Sequence, residues 1–169
     1  MKYLTGNEEQ EAVQWMREAA EVARRATCER ARCGSIVVNN GKIIGTGWNS
    51  PPQDREEQRR CARGKEEYHA KVTDKTCCIH AEQRAIIDAL RSDAANVPGS
   101  RLYFIRLDKE GKPTKAGQPY CTICSKMALD CGVREFVLWH EEGVCVYTTD
   151  EYNVLSFQFA EKPLYPEQE

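Results

Sequence analysis

Two short stretches of the sequence carry residue types that bind transition metals. The first is IHAEQRAI (79–86), in which His80 and Glu82 stand two positions apart. The second is CTIC (121–124), in which Cys121 and Cys124 form a C-x-x-C pair. One histidine and two cysteine thiolates supply three ligands of a tetrahedral zinc ion, and a zinc with three protein ligands keeps a fourth position for water. The pattern predicts a catalytic zinc site.

Glu82 is predicted to act on the water rather than on the metal. Residues two apart do not share a helix face, so Glu82 is poorly placed as a further ligand if His80 binds the ion. Zinc lowers the pKa of a bound water to about 7, and a nearby carboxylate can accept the proton and return it to a leaving group. The alternatives are a four-ligand structural zinc, which does not need Glu82, and a redox C-x-x-C pair, which does not need His80.

The two motifs together are more specific than either is alone. H-x-E followed by P-C-x-x-C is the signature of zinc-dependent deaminases, and the two motifs match it except that Tyr120 stands directly before Cys121. Each motif follows a loop and opens a helix, where free N–H groups and the helix dipole favour a thiolate.

The elements around these motifs predict an α/β domain with helices on both faces of a sheet. Helical periodicity and strand patterns give the order helix, hairpin, irregular insert, helix, strand, helix, strand, strand. The marking features are a helix over 8–26, an Asn40-Gly41 turn, an irregular insert over 50–78, a helix from His80, a strand over 101–107 and a helix closed by Gly132. We expect a single domain over 1–169, with Ala81, Ala85, Ile86 and Leu90 facing the core and no pattern assigned to 150–169.

Composition and charge restrict the class of protein. The chain has 169 residues, 41% hydrophobic and 30% charged, as in soluble globular proteins. Its net charge of -2 weighs against a nucleic-acid substrate, although it leaves room for a local basic groove. No apolar run approaches the roughly 20 residues of a membrane span, and the first residues lack a signal-peptide pattern. These features predict a cytoplasmic protein with no membrane partner.

The chain has nine cysteines, an odd number that argues against a disulfide framework and favours metal binding. Cys33, Cys131 and Cys145 stand among apolar residues and are predicted to be small buried side chains.

With these motifs in view, the chain resembles the cytidine and deoxycytidylate deaminase superfamily, most closely its dCMP deaminase branch. The matching stretches are ATCERARCGSIVVNNGKIIGTGWNSPP (26–52), IHAEQRAI (79–86) and CTICSKMALDCGVREFVLW (121–139). The resemblance implies a three-layer fold with a five-stranded mixed sheet between helices. It also implies zinc-dependent hydrolysis of the C4 amine of a cytosine nucleotide, dCMP before others, with release of ammonia. The alternatives are cytosine or adenine in nucleic acid, or another free base or nucleoside such as a guanine-type base.

The resemblance assigns roles to individual residues. It implies zinc binding by His80, Cys121 and Cys124, proton transfer by Glu82, a base or sugar contact from Asn49, a pyrimidine contact from the Ala81 backbone and a place beside the pocket for Tyr120. Tyr120 stands where the family usually has proline, Arg84 where it has asparagine and Ser50 where it has glycine. In some members that glycine belongs to a loop linked to nucleotide regulation, so Ser50 leaves regulation by dCTP and dTTP open. Members usually assemble, so a homo-oligomer is expected.

The resemblance also implies a second, structural zinc, which some dCMP deaminases carry. The corresponding positions are Cys28, Cys61, His69 and Cys78. Cys77 is the alternative to Cys78, because one of two adjacent side chains usually points away. A four-ligand zinc would hold an irregular insert that has few apolar residues of its own.

Overall fold

The computed structural model describes residues 1–159, which form a mixed β-sheet with helices on both faces. The strands are β1 (Lys2–Tyr3), β2 (Arg32–Asn39), β3 (Lys42–Trp48), β4 (Arg101–Leu107), β5 (Pro113–Thr114), β6 (Glu135–His140) and β7 (Gly143–Thr148). The helices are α1 (Gly6–Ala23), α2 (Ala81–Asp93), α3 (Thr122–Asp130) and α4 (Thr149–Gln158). None of the helices in this part of the chain has the length and apolarity needed to cross a membrane.

The sheet has the strand order β1-β7-β6-β4-β2-β3, and β5 pairs with the end of β4. β4 and β6 run parallel, while the other pairs are antiparallel. The five long strands form the predicted mixed sheet, which is therefore confirmed. β1 and β5 are two-residue strands that widen it to seven, and their shortness explains why periodicity did not indicate them.

The two faces of the sheet have separate apolar cores. On one face, Met16 and Ala19 of α1 pack against Ile36, Tyr103 and Ile105. On the other face, the second core brings together Ile86 of α2, Ala128 of α3, Tyr152 of α4, and Val37 and Phe136 of the sheet. This arrangement confirms the three-layer α/β/α fold.

The hairpin turn, the core-facing side of α2 and the tail were the subject of local predictions. Asn40 and Gly41 have φ angles of 48° and 68°, as a tight hairpin turn requires. Ala81, Ala85 and Ile86 are buried, but Leu90 is 41% exposed, so its inward assignment was wrong. Ala89 occupies the core-facing position instead, with 0% exposure. The unassigned tail forms α4 as far as Gln158, and 160–169 lie outside the described residues.

The insert contains only three short 3₁₀ turns, which agrees with its predicted irregularity. Its two ends meet, because the Ile79 N–H donates to the Ser50 carbonyl at 2.9 Å. The intervening chain therefore forms an excursion that leaves β3 and returns at the start of α2.

Helix α2 approaches β3 closely because Gly47 has no side chain. A Cβ at Gly47 would lie 2.1 Å from the Ala81 carbonyl oxygen and 2.3 Å from the Ala85 nitrogen. Both are backbone atoms, so relief requires movement of the helix. This contact fixes the beginning of α2, where His80 and Glu82 lie.

Substitution of Gly47 by alanine is expected to destabilise the fold by about 1–3 kcal/mol, the usual range for overpacking. Gly117→Ala is the matched control, since nothing lies within 4 Å of a Cβ at Gly117. Denaturant unfolding of both variants measures the difference. Equal free energies of unfolding would show that α2 does not depend on this contact.

Candidate active site and metal centre

Three metal-binding side chains converge where α2 and α3 begin. His80 precedes α2 as its N-cap residue, Cys121 is the N-cap of α3, and Cys124 lies in the first turn of α3. The His80 Nδ1 atom is 3.2 Å from each Sγ atom, and the two Sγ atoms are 3.0 Å apart. One imidazole nitrogen and two thiol sulfurs at one point are a donor set that fits zinc.

The electrostatics of this cluster favour a thiolate. Hydrogen bonds from the Cys124 thiol and from His80 hold the pKa of Cys121 at about 4. The Cys121 thiolate in turn raises the pKa of His80 to about 9. The Cys124 backbone N–H also points to the Cys121 sulfur, at 3.4 Å. The thiolate is the form that binds metal, so the cluster is prepared for a cation.

The free nitrogen of His80 faces the insert. Its Nε2 atom is 3.5 Å from Thr76 Oγ1, and the Thr76 hydroxyl donates to Asp74 at 2.6 Å. A hydrogen-bond partner on the second ring nitrogen orients a metal-binding imidazole and selects its tautomer. Sequence reasoning missed Thr76, because no motif singled out a residue of the irregular insert.

Glu82 lies beside the donor cluster and is 6% exposed. Burial raises the pKa of its carboxyl group to about 7, the negative charge of Cys121 adds to this, and His80 opposes it. A bound dication would act in the same direction as His80. A carboxyl group with a pKa near 7 can both accept and donate a proton at neutral pH.

The cluster opens into a cavity of about 270 Å³. His80, Ala81 and Glu82 form one part of its lining, and Asn49 and Tyr120 form another. All three residues predicted to contact substrate therefore line this cavity. Its volume is near the lower end of the range for small-molecule sites.

The three predicted substrate-contact residues differ in how firmly they are held. Asn49 is 8% exposed, and its amide is fixed between the Cys33 N–H and the Ala31 carbonyl, both at 2.8 Å. Ala81 is the first residue of α2, so its N–H has no partner within the helix. Tyr120 is 60% exposed at the cavity mouth, and its ring centroid is 5.7 Å from that of Phe159.

Phe104 and Cys33 are among the residues of the cavity lining that the sequence did not indicate as functional. Phe104 reaches it from β4, where a strand of apolar residues gave no sign that one side chain faces a ligand. Cys33 was predicted to be a core residue, and this was wrong, since it lines the cavity. Cys145 is fully buried as predicted, whereas Cys131 is only partly buried.

The two departures from the family pattern contact one another. The Arg84 guanidinium donates to Ser50 Oγ at 2.8 Å and to the Pro51 carbonyl at 3.1 Å. It also lies 3.2 Å from the Asp54 carboxylate, which accepts a hydrogen bond from Ser50. This network ties the loop after Asn49 to α2 and thereby holds Asn49 near Glu82.

A second cluster of thiols joins Cys28, which lies between α1 and β2, to cysteines of the insert between β3 and α2. The Sγ atoms of Cys28, Cys61 and Cys78 all lie within 4.8 Å of one another. Cys77 Sγ is 3.3 Å from Cys61 Sγ and 3.8 Å from Cys78 Sγ. The expectation that one of the adjacent cysteines points away was therefore wrong, because both face Cys61.

His69 lies outside this cluster. Its side chain is exposed, and its Nδ1 atom accepts a hydrogen bond from the Lys71 backbone N–H at 3.1 Å. Of the four ligands expected for a second metal, the structure brings together the three cysteines and leaves the histidine apart.

Comparison with known proteins decides the family. The sequence model for the cytidine and deoxycytidylate deaminase zinc-binding region matches residues 9–140. The chain belongs to this family. It is therefore a hydrolytic deaminase with a zinc-binding domain.

Similar proteins include dCMP deaminases. The deoxycytidylate deaminase of Mycobacterium phage D29 is 28% identical over 126 residues, covering 70% of this chain and 86% of the phage protein. The Schizosaccharomyces pombe deoxycytidylate deaminase is 29% identical over 149 residues, covering 86% of this chain but only 40% of the yeast protein. The dCMP deaminase of cyanophage S-TIM5, solved in complex with dCMP and dUMP, is 26% identical with a TM-score of 0.53, covering 79% of this chain and 82% of the other.

Proposed function

We propose that this enzyme deaminates dCMP to dUMP and releases ammonia. The observation that carries the proposal is a buried carboxylate, Glu82, next to a His80, Cys121 and Cys124 donor set that borders a cavity of about 270 Å³. The dCMP deaminases among its relatives support the choice of substrate.

The donor set would hold zinc, which when bound supplies the polarisation that makes water nucleophilic at neutral pH. Glu82 takes a proton from the attacking water as the C4–O bond forms. It then delivers a proton to the C4 amine, so that the C4–N bond breaks and ammonia leaves. The Ala81 N–H and the fixed amide of Asn49 orient the pyrimidine and sugar, and Tyr120 restricts access of solvent at the mouth.

A substrate panel tests the proposal. Zinc-loaded protein is incubated with dCMP, deoxycytidine, cytosine, guanine and single-stranded DNA, and ammonia release is measured. We expect the highest kcat/KM among these for dCMP. Deamination of deoxycytidine or guanine in preference to dCMP would replace the proposed substrate.

We further infer a second, structural zinc bound by Cys28, Cys61, Cys77 and Cys78. Tetrahedral Zn–S bonds of 2.3 Å place sulfurs about 3.8 Å apart, close to the 3.8 Å separations of Cys78 from Cys61 and from Cys77. Cys77 Sγ is 3.3 Å from Cys61 Sγ and lies outside the group that Cys28, Cys61 and Cys78 form within 4.8 Å, so its side chain must shift to complete the tetrahedron. This assignment gives Cys77 the place that the family resemblance gave to His69. The ion would connect the start of β2, the insert and the start of α2.

Cys61→Ser is expected to reduce zinc from two to one equivalent per chain and to expose the insert to protease, because thiolate coordination is lost. His69→Gln is the matched control and should retain both ions. Metal analysis with limited proteolysis measures these effects. Loss of one zinc in His69→Gln, with two retained in Cys77→Ser, would restore His69 as the ligand.

We also infer that the chain forms a homo-oligomer in the cytoplasm. Helices α3 and α4 pack together and expose Leu129, Val154 and Phe157, at 38%, 53% and 64%, and exposed apolar patches mark interfaces. Nine free cysteines fit a reducing compartment. Light scattering should give a mass above 19.3 kDa, the mass of one chain.

A further inference from the structure

A second and more open cavity, of about 510 Å³, adjoins the substrate cavity. The two share the lining residues Cys28, Arg30 and Ala31. Five cationic side chains line the second cavity: Arg30, Arg32, Arg106, Lys109 and Lys115. We call this surface the basic groove. Because the whole chain has a net charge of -2, this concentration of positive charge is local.

The two carboxylates in the basic groove have other partners. Glu29 lies 3.8 Å from the Arg59 guanidinium, and the Asp108 carboxylate accepts the Lys112 backbone N–H at 2.7 Å. Within residues 1–159, the side chains of Arg106 and Lys109 form neither an ion pair nor a hydrogen bond. Unpaired cations gathered in a concave surface concentrate anions.

Sheet geometry places Arg106 next to the substrate cavity. Arg106 pairs directly with Cys33 between β4 and β2, so both side chains leave the same face of the sheet. Cys33 and Phe104 line the substrate cavity, and Arg106 is two residues, about 7 Å, farther along the strand. Burial raises the pKa of the Cys33 thiol to about 12, and that thiol also responds to the charges of Glu82 and Arg106.

The number of cations exceeds the need of a monophosphate. The substrate cavity itself has Arg30 and Lys65 in its lining, which can neutralise one phosphate. Four more cations line the basic groove beyond Arg30. Arg32 donates to the Arg24 carbonyl at 3.0 Å and Lys115 lies 3.7 Å from the centroid of the Trp139 ring, so Arg106 and Lys109 are the two that remain for further phosphates. We propose that the enzyme also deaminates dCTP, with the outer phosphates of the substrate bound in the basic groove. This inference rests on the proposed function and extends its substrate to the triphosphate.

A single-stranded nucleic acid is the competing polyanion. Proteins that bind single strands combine positive charge with aromatic side chains on which bases stack. Among the described residues, no aromatic side chain lines the basic groove. The groove therefore suits a phosphate chain without attached bases.

Steady-state kinetics of zinc-loaded enzyme with dCMP and dCTP tests the proposal. The variants are Arg106→Gln, Lys109→Gln and the double variant, with Lys112→Gln as the matched control because Lys112 is exposed on the same loop but does not line the groove. We expect parent kcat/KM for dCTP to equal or exceed that for dCMP. Each single variant should lower the dCTP value about tenfold, while the dCMP values and the control change by less than about twofold.

Three results would overturn the proposal. The first is a parent kcat/KM for dCTP more than tenfold below that for dCMP. The second is an equal loss on both nucleotides in the variants. The third is an oligonucleotide with an internal cytosine that is a better substrate than dCTP and loses activity in the same variants, which would assign the groove to a polynucleotide.

Direct binding separates this proposal from the proposed function. Equilibrium dialysis with dUTP and dUMP needs no turnover, so it applies even if the parent does not deaminate dCMP. The parent should bind dUTP more tightly than dUMP, and Arg106→Gln should remove this preference. Absence of the preference in the parent, or its survival in both Arg106→Gln and the double variant, refutes the groove as a phosphate site.

Discussion

Glu82→Gln should bind zinc as the parent does and turn over dCMP about 10²–10⁴-fold more slowly, the usual contribution of a placed proton-transfer group. Glutamine has the shape of glutamate, but its amide cannot accept the proton of the attacking water. Because Glu82 is buried, with 6% exposure, a carboxylate on the protein surface cannot take its place. Measurements of kcat and of zinc content on the same preparation test both parts of the expectation.

Glu141→Gln provides the control, because Glu141 is an exposed carboxylate outside the cavity lining. Its activity should equal that of the parent. If Glu82→Gln keeps activity within a few-fold of the parent, another group moves the proton. If it loses zinc, Glu82 contributes to metal binding rather than to proton transfer.

Cys124→Ser is expected to lose one equivalent of zinc and nearly all activity. A serine hydroxyl remains protonated at neutral pH, whereas zinc binds the thiolate. Cys124 is fully buried, and a buried hydroxyl without a metal partner destabilises the folded state by about 1–3 kcal/mol. Metal analysis, kcat and thermal unfolding measure the three effects.

Cys131→Ser is the matched control, since Cys131 ends the same helix and lies outside both thiol clusters. It should retain metal and activity. Treatment of the parent with a chelator provides a test that does not depend on folding of the variant: activity should disappear and return on addition of zinc. Activity that survives complete removal of metal would contradict a catalytic zinc site.

The elements and the catalytic motifs were accessible from the sequence because their signals are local. Helical periodicity located α1 and α2, and the Asn40-Gly41 pair located the β2–β3 turn. The spacing of His80 and Glu82, and of Cys121 and Cys124, defined two half-sites. A spacing depends only on neighbouring residues, so it can be recognised before the chain is folded.

The joining of the two half-sites was decided by the tertiary structure. His80 and Cys121 are 41 positions apart, yet their donor atoms are 3.2 Å apart, because parallel pairing of β4 with β6 and the packing of α2 and α3 on one face bring both helix starts together. The family resemblance supplied this pairing in advance, whereas the motifs alone did not.

Features that depend on long-range packing or on the direction of single side chains were missed. Cys33 and Phe104 belong to apolar strands, and only the sheet shows that both line the cavity, where Phe104 also packs against the second core. Cys77 and His69 differ in whether the irregular insert turns them toward Cys61.

The sequence by itself determined the chemical class of the site, because metal-binding residue types and their spacing are local properties. The tertiary structure decided what surrounds that chemistry, because neighbours from different strands and from the insert meet only after folding. The continuity of the basic groove with the substrate cavity is of this second kind: it depends on Arg106 in β4 lying opposite Cys33 in β2, 73 residues earlier in the chain.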